Sequence, residues 1–179
     1  SPSPLNSEAH QGDLSAVLLQ NLNPLVNLIR VPKKPIILMD EWESKIKAIV
    51  ENTWNKDVNS LSGVPSWMLV LIKAVLKKTG REYLTDVWPN LEVFFHGGIS
   101  FEPYREQYKT LIPSNKMHYM ETYNASEGFF GLQDDPTDSS LLMMPDYGIF
   151  YEFIPMNEVG NAHPTVLPLE SVETGKNYA

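Results

Sequence analysis

The chain has 179 residues, 42% of them hydrophobic, with 14 basic and 22 acidic side chains for a net charge of -8, and it contains no cysteine. That apolar content suffices for a packed core, the negative balance argues against nucleic acid as a partner, and the lack of thiols excludes disulfides, a cysteine nucleophile and a thiolate metal site. No apolar run reaches the ~18 residues of a membrane-spanning helix and SPSPLNSEAHQGD lacks the regions of a signal peptide, so no membrane partner is expected and the cytoplasm is the expected location.

Taken in chain order, residues 1–35 read as a helical lead-in: a polar, Pro/Ser-rich start, then Val17, Leu18, Leu19, Leu22, Leu25, Val26 and Ile29 at helical spacing. This predicts a core helix pair over Leu14 to Arg30, with Pro24 at a break or a first turn. Acidic Asp40, Glu41 and Glu43 then stand at the start of a face made of Trp42, Ile46, Ile49, Val50 and Trp54, the pattern of an amphipathic helix with carboxylates at its positive end. VNSLSGVP reads as a short buried strand or loop ending at Pro65, a helix entry, and Trp67 to Leu76 as a helix buried on most sides and stopped by Thr79-Gly80. LTDVWPN is a connection.

LEVFFHGG predicts a strand, and its continuous run Val93-Phe94-Phe95 fits cover on both faces. Pro103 opens an amphipathic helix carrying Tyr104, Tyr108 and Leu111. The alternation of strands and helices over residues 36–128 predicts an α/β fold, a largely parallel sheet flanked by helices. After Phe129 the short segments GFFGLQD, SLLMM and YGIFYEFIP predict a β-rich, antiparallel carboxyl-terminal part over residues 129–179, with Phe150 and Phe153 in its core and TVLPLESV at an edge because of Pro168. Gly175 and Tyr178 look like a turn entering another strand, which together with the start at Ser1 leads to the expectation of a truncated fragment.

Two turns carry the chemistry. In KMHYMETYNASEGFFG, the alternation of Met117, Tyr119 and Glu121 with His118, Met120 and Thr122 predicts a strand to Thr122, and Asn124-Ala125-Ser126 supplies a turn. Tyr123 has the ring to stack on a purine, Ser126 a hydroxyl for a phosphate oxygen, and Glu127 the hard oxygens that magnesium prefers, while Gly128 allows close backbone approach. The same Ser126 and Glu127 also fit a plain cap of the next element. His96-Gly97-Gly98 ends the preceding strand, where open α/β sheets place ligands. His96 there fits a hydrogen-bonded structural role as well as a catalytic one, and the four histidines form no close pair of metal ligands.

VFFHGGISFEPYREQY, YNASEGFFG and MPDYGIFYEFIP, in that order over Trp42 to Pro155, resemble the middle of the auxin-responsive (Gretchen Hagen) family of acyl-acid amido synthetases. That family is a branch of the adenylate-forming superfamily. The resemblance implies part of the large domain of such an enzyme, with ATP and magnesium as cofactors and a small-molecule carboxylic acid and an amino acid as partners. ATP activates the acid to an acyl-adenylate, and the acyl group passes to the amine. By position, Tyr123, Asn124, Ala125, Ser126, Glu127 and Gly128 become the ATP-contacting turn: Tyr123 on adenine, Ser126 at the α-phosphate and Glu127 on magnesium, with Ser126 and Glu127 as the catalytic pair. His96, Gly97 and Gly98 become a wall for the acid.

The chain departs from the family in having no Ser/Thr/Gly-rich phosphate loop with a lysine, no later arginine-and-aspartate ribose motif and no carboxyl-terminal lid with a catalytic lysine. Alone, it is expected to be inactive. An acyl-coenzyme A ligase, and a non-catalytic binding or scaffold module of the same fold, stand as alternatives.

Overall fold

A computed structural model describes residues 3–4, 10–11 and 21–179. Strands β1 (Ser3–Pro4) and β2 (His10–Gln11) pair antiparallel, and the helix expected over Leu14 to Gln20 lies outside the described residues. Helix α1 (Pro24–Ile29) begins with Pro24 in its first turn and Asn23 capping the N–H of Leu25. It is not a core helix: Leu25, Leu28 and Ile29 are all exposed, Ile29 to 84%. A single turn, α2 (Lys34–Ile37), leads into α3 (Trp42–Thr53). Glu41 caps α3 by accepting from the N–H groups of Glu43 and Ser44 at 2.8 and 2.6 Å, which satisfies two donors that a helix start leaves free.

Strand β3 (Ser60–Gly63) is followed by α4 (Pro65–Thr79), which Gly80 ends in the left-handed conformation at φ +65°. Helix α4 buries Leu69, Ile72, Val75 and Leu76, but Trp67, at 54% exposure, and Val70 face outward, so its cover is one-sided rather than general. Trp67 meets Trp42 of α3 edge-on, with ring centroids 4.3 Å apart.

The remaining strands of the sheet are β4 (Val93–Gly97), β5 (His118–Ala125), β6 (Gly128–Leu132) and β7 (Leu142–Met143), lying in chain order beside β3. The pairs β3–β4 and β4–β5 are parallel, while β5–β6 and β6–β7 are antiparallel. The sheet is therefore mixed, with the parallel pairing expected of the Leu91 and Met117 segments in place. Connection length decides this: α4 carries the chain back over the sheet between β3 and β4, and α5 (Arg105–Leu111) does so between β4 and β5, whereas β5 reaches β6 through a tight turn that permits only antiparallel pairing. Beyond the sheet, β8 (Glu152–Phe153) and β9 (Leu167–Pro168) form an antiparallel pair. Phe150, expected in the core, is 81% exposed.

Burial alternates along β4. Phe94 and His96 are buried while Phe95 is 40% exposed, so the helices cover one face of the sheet and the apolar run of this strand does not signify cover on both. The core lies on the covered face, where Phe94, opposite Leu61 and Tyr119, stacks on Tyr108 and shares one buried cluster with Ile72, Val75 and Ile112. LTDVWPN is more than a connection, since Leu84 and Trp88 are buried in the same core and Trp88 donates from Nε1 to the carbonyl of Thr53 at 3.1 Å. Phe101 sits at the centre of the aromatic packing: its ring stacks on His96 at 4.2 Å and on Tyr119 at 4.9 Å, and the Arg105 guanidinium lies 4.9 Å from its centroid. Among the described residues, no helix is long and apolar enough to cross a membrane.

Tyr108 is fully buried and donates its hydroxyl to the carbonyl of Pro65 at 2.8 Å, tying α5 to the start of α4. Tyr108→Phe removes that bond, although the same carbonyl keeps its place in the first turn of α4, and should lower stability by about 1 kcal/mol in urea denaturation. No change would show that water replaces the bond.

Burial pulls the His96 pKa from the ordinary 6.5 to about 4, with the charge of Arg105 adding to the effect. Because the folded value lies below the unfolded one, the unfolded chain takes the proton first. The contribution to stability is whole above pH 6.5 and is lost as the pH falls toward 4. Thermal melts across that range should therefore decline less steeply for His96→Leu than for the wild type, and parallel declines would contradict a neutral core histidine.

Candidate functional site

The register of β4 on β5 sets Gly97 opposite Thr122, so both strands deliver their carboxyl ends to one edge of the sheet and their turns emerge side by side. The approach is close. A Cβ on Gly97 would strike the carbonyl oxygen of Thr122, and the Thr122 hydroxyl donates to the carbonyl of His96 at 3.1 Å. Gly98 follows at φ +81°, a conformation side chains disfavour.

Strand β5 runs past Thr122 to Ala125, because pairing with β6 holds Asn124 opposite Phe129 and Ala125 opposite Gly128 and outweighs the turn preference of Asn124. The turn itself is Ser126-Glu127. Among the described residues no side chain other than hydrogen stands at positive φ, so this is not one of the mirror-image turns that suit a two-residue hairpin. A register shift between Tyr123 and Asn124, which leaves Phe130 without a partner, takes up the misfit as a bulge. Gly128 makes room for Ile149, whose Cδ1 would stand 2.5 Å from a Cβ there.

Alternation along β4 and β5 divides the expected site between the two faces. On the open face lies a cleft of about 660 Å³, lined by Ser62, Phe95, Thr122, Asn124, Ala125, Ser126, Gly128, Phe129, Leu132 and Gln133. Asn124, Ala125, Ser126 and Gly128 are thus brought together. Tyr123 points the other way: its ring packs against Phe130 with centroids 5.2 Å apart and is 56% exposed. His96 is buried on the covered face beside Phe94 and Phe101, with Nδ1 unpaired.

Glu127 stands exposed at the hairpin tip. Among the described residues neither its carboxylate nor the Ser126 hydroxyl is engaged in a hydrogen bond or ion pair, and the element that follows is a strand, so the capping role has no support. Nor do three His, Asp or Glu side chains converge among the described residues; a cation at the tip would rest on Glu127 and on a ligand's own oxygens.

The sequence does not single out Phe95, Thr122, Phe129, Leu132, Gln133 or Ser62 of β3, which also line the cleft. The first two were within reach of the alternation, since Phe95 and Thr122 share a parity across β4 and β5 once the pairing is parallel. Gln133 carried no signal. Phe129 and Leu132 turn to the cleft only because the bulge resets the parity of β6.

The model of the GH3 family N-terminal domain matches residues 3–117, and that of the GH3 family central domain matches residues 142–179. The Indole-3-acetic acid-amido synthetase GH3.3 of Arabidopsis thaliana is 30% identical over 103 residues, which are 53% of this chain and 16% of that protein. The solved structure of the GH3.15 acyl acid amido synthetase superposes on 99% of this chain and 40% of its own, with a TM-score of 0.72 at 14% identity, a likeness of fold. The chain thus spans less than half of either relative. With the two domain models matched in chain order, the first over more than half of its residues, the chain belongs to the GH3 family.

Proposed function

We propose that this chain supplies part of the acid- and nucleotide-binding site of an enzyme that joins a small carboxylic acid to ATP, releasing pyrophosphate, and passes the acyl group from the adenylate to the amine of an amino acid. The observation that carries this reading is the placement of one hairpin tip between an apolar cleft and an exposed aromatic ring. Phe95, Phe129 and Leu132 offer apolar walls to the body of an acid, and Asn124 and Ser126 offer polar atoms to its carboxylate. One side of the Tyr123 ring is occupied by Phe130, which leaves the other for adenine. An α-phosphate would then meet the acid at the tip, within reach of the Ser126 hydroxyl.

Attack of a carboxylate on the α-phosphorus brings like charges together, and the reaction needs no covalent intermediate on the protein. The contribution of these residues is positioning and charge compensation. Glu127, exposed and unengaged, fits a role in holding magnesium, which when bound offsets phosphate charge. His96, Gly97 and Gly98 border the acid through their backbone, as the hydrogen bond from cleft-lining Thr122 to the His96 carbonyl supports. Both relatives are named as amido synthetases, which favours an amine acceptor over a thiol. The cytoplasm is the setting we assign, consistent with a chain free of cysteine.

The 179-residue chain holds no lysine-bearing phosphate loop, so calorimetry should find magnesium-ATP binding weaker than micromolar. A micromolar dissociation constant, about -8 kcal/mol, would put the phosphate grip within this chain and contradict the assignment.

In the full-length enzyme, Glu127→Ala should slow acid-dependent pyrophosphate exchange roughly a hundredfold, about 3 kcal/mol. Because Glu127 holds nothing among the described residues, the thermal midpoint should stay put. Normal exchange would remove Glu127 from the reaction.

A further inference from the structure

From Asp134 to Ser140 every residue is exposed, so this acidic loop has no buried side chain of its own to fix it. Its attachment is Gln133, whose side chain is buried under the end of β6. The Gln133 carbonyl oxygen accepts from the N–H of Glu121 at 3.1 Å, and its amide nitrogen donates to the carbonyls of Asp135 and Asp138 at 3.1 and 2.6 Å. The backbone N–H of Gln133 donates to the Glu121 carbonyl at 2.7 Å. One donor and two acceptors around the side chain admit only one orientation of the amide. Among the described residues the loop's other hydrogen bonds are internal, from Thr137 and Asp138 to Asp135 and from Ser140 to Asp138.

Gln133 also lines the cleft, at the end reached by Leu132. Since Leu132 pairs with Thr122 and Ala125 with Gly128, that end lies a full strand length from the Ser126-Glu127 tip. We infer that Gln133 is a positioning residue: it latches the 134–140 loop onto β5, closes the cleft at the end remote from the tip, and so limits the length of the acid that fits. The inference rests on reading the cleft as the acid site. An acid whose carboxylate is held at the tip extends its body along β6 toward Leu132, and what it meets there is the Gln133 side chain, fixed in place by the loop it holds.

The test uses the 179-residue chain as wild type, Gln133→Leu and Gln133→Glu, the second keeping the acceptor for Glu121 while lacking the two donors. Amide hydrogen exchange and amide chemical shifts are followed as benzoate or 4-phenylbutanoate is added at millimolar concentration. In the wild type, benzoate should shift the amides of Thr122, Phe129 and Leu132. Both variants should exchange at least tenfold faster at residues 134–140, with Ile72 and Val75 unchanged, and the affinity ratio should move at least threefold toward the longer acid. Faster loop exchange with an unchanged ratio would overturn the inference and leave the acid site standing. No benzoate shift in the wild type would overturn the acid site and the inference with it, and loss of protection throughout both variants would reduce Gln133 to a fold residue.

Discussion

Gly97 and Thr122 stand so close across the β4–β5 pair that a single added carbon would collide with the Thr122 carbonyl, and the Thr122 hydroxyl closes the same gap by donating to His96. Everything at this edge of the sheet follows from that contact. It fixes the separation of the two turns, and through the period of two along each strand it also fixes which residues look toward the helices and which look away. His96 goes into the core for the same reason that Phe95 goes into the cleft: they are neighbours in a strand whose register is set at Gly97.

The covered face is held by aromatic packing around Phe101, with His96 and Tyr119 stacked against it and Arg105 over it. This asymmetry matters to the site. A rigid aromatic layer beneath β4 and β5 supports the strands from one side, while the apolar groups on the other side, Phe95 among them, remain available to something that is not part of the core. The hairpin tip then bridges the two environments, because alternation along β5 turns Tyr123 and Asn124 to opposite faces, while the bulge at Phe130 brings Phe129 to the side of Asn124.

Strand and helix placement was legible from the sequence wherever periodicity and punctuation agreed. Trp42 to Thr53, with its acidic start, and Pro65 to Thr79, between a proline and a left-handed glycine, are helices for the reasons their residues announce. Exposure was less legible. An apolar run such as Val93-Phe94-Phe95 records apolarity and not which face is covered, and Leu25, Leu28, Ile29 and Phe150 are apolar residues that these packing partners leave in the open. Along the cleft, Asn124, Ala125, Ser126 and Gly128 come from one short stretch of chain and are read together in the sequence. Phe95 and Gln133 belong to the cleft only through pairing, and pairing joins residues that composition along the chain cannot connect.

The mixed sheet also orders the assembly of the cleft in time. The β5–β6 hairpin closes across two residues, a local event, while Ser60 finds Val93, and Val93 finds His118, only after α4 and α5 have bridged the gaps. Loop closure costs more entropy with distance along the chain, and the long-range parallel pairs form more slowly than a hairpin of neighbouring segments. The tip that bears Ser126 and Glu127 is therefore an early, self-contained structure. Its opposite wall, Phe95 and Ser62, arrives with the slow step, so a chain caught before that step displays the hairpin with an unshielded apolar flank of Phe129 and Leu132. Until that step, the flank is an apolar surface open to contact with another chain.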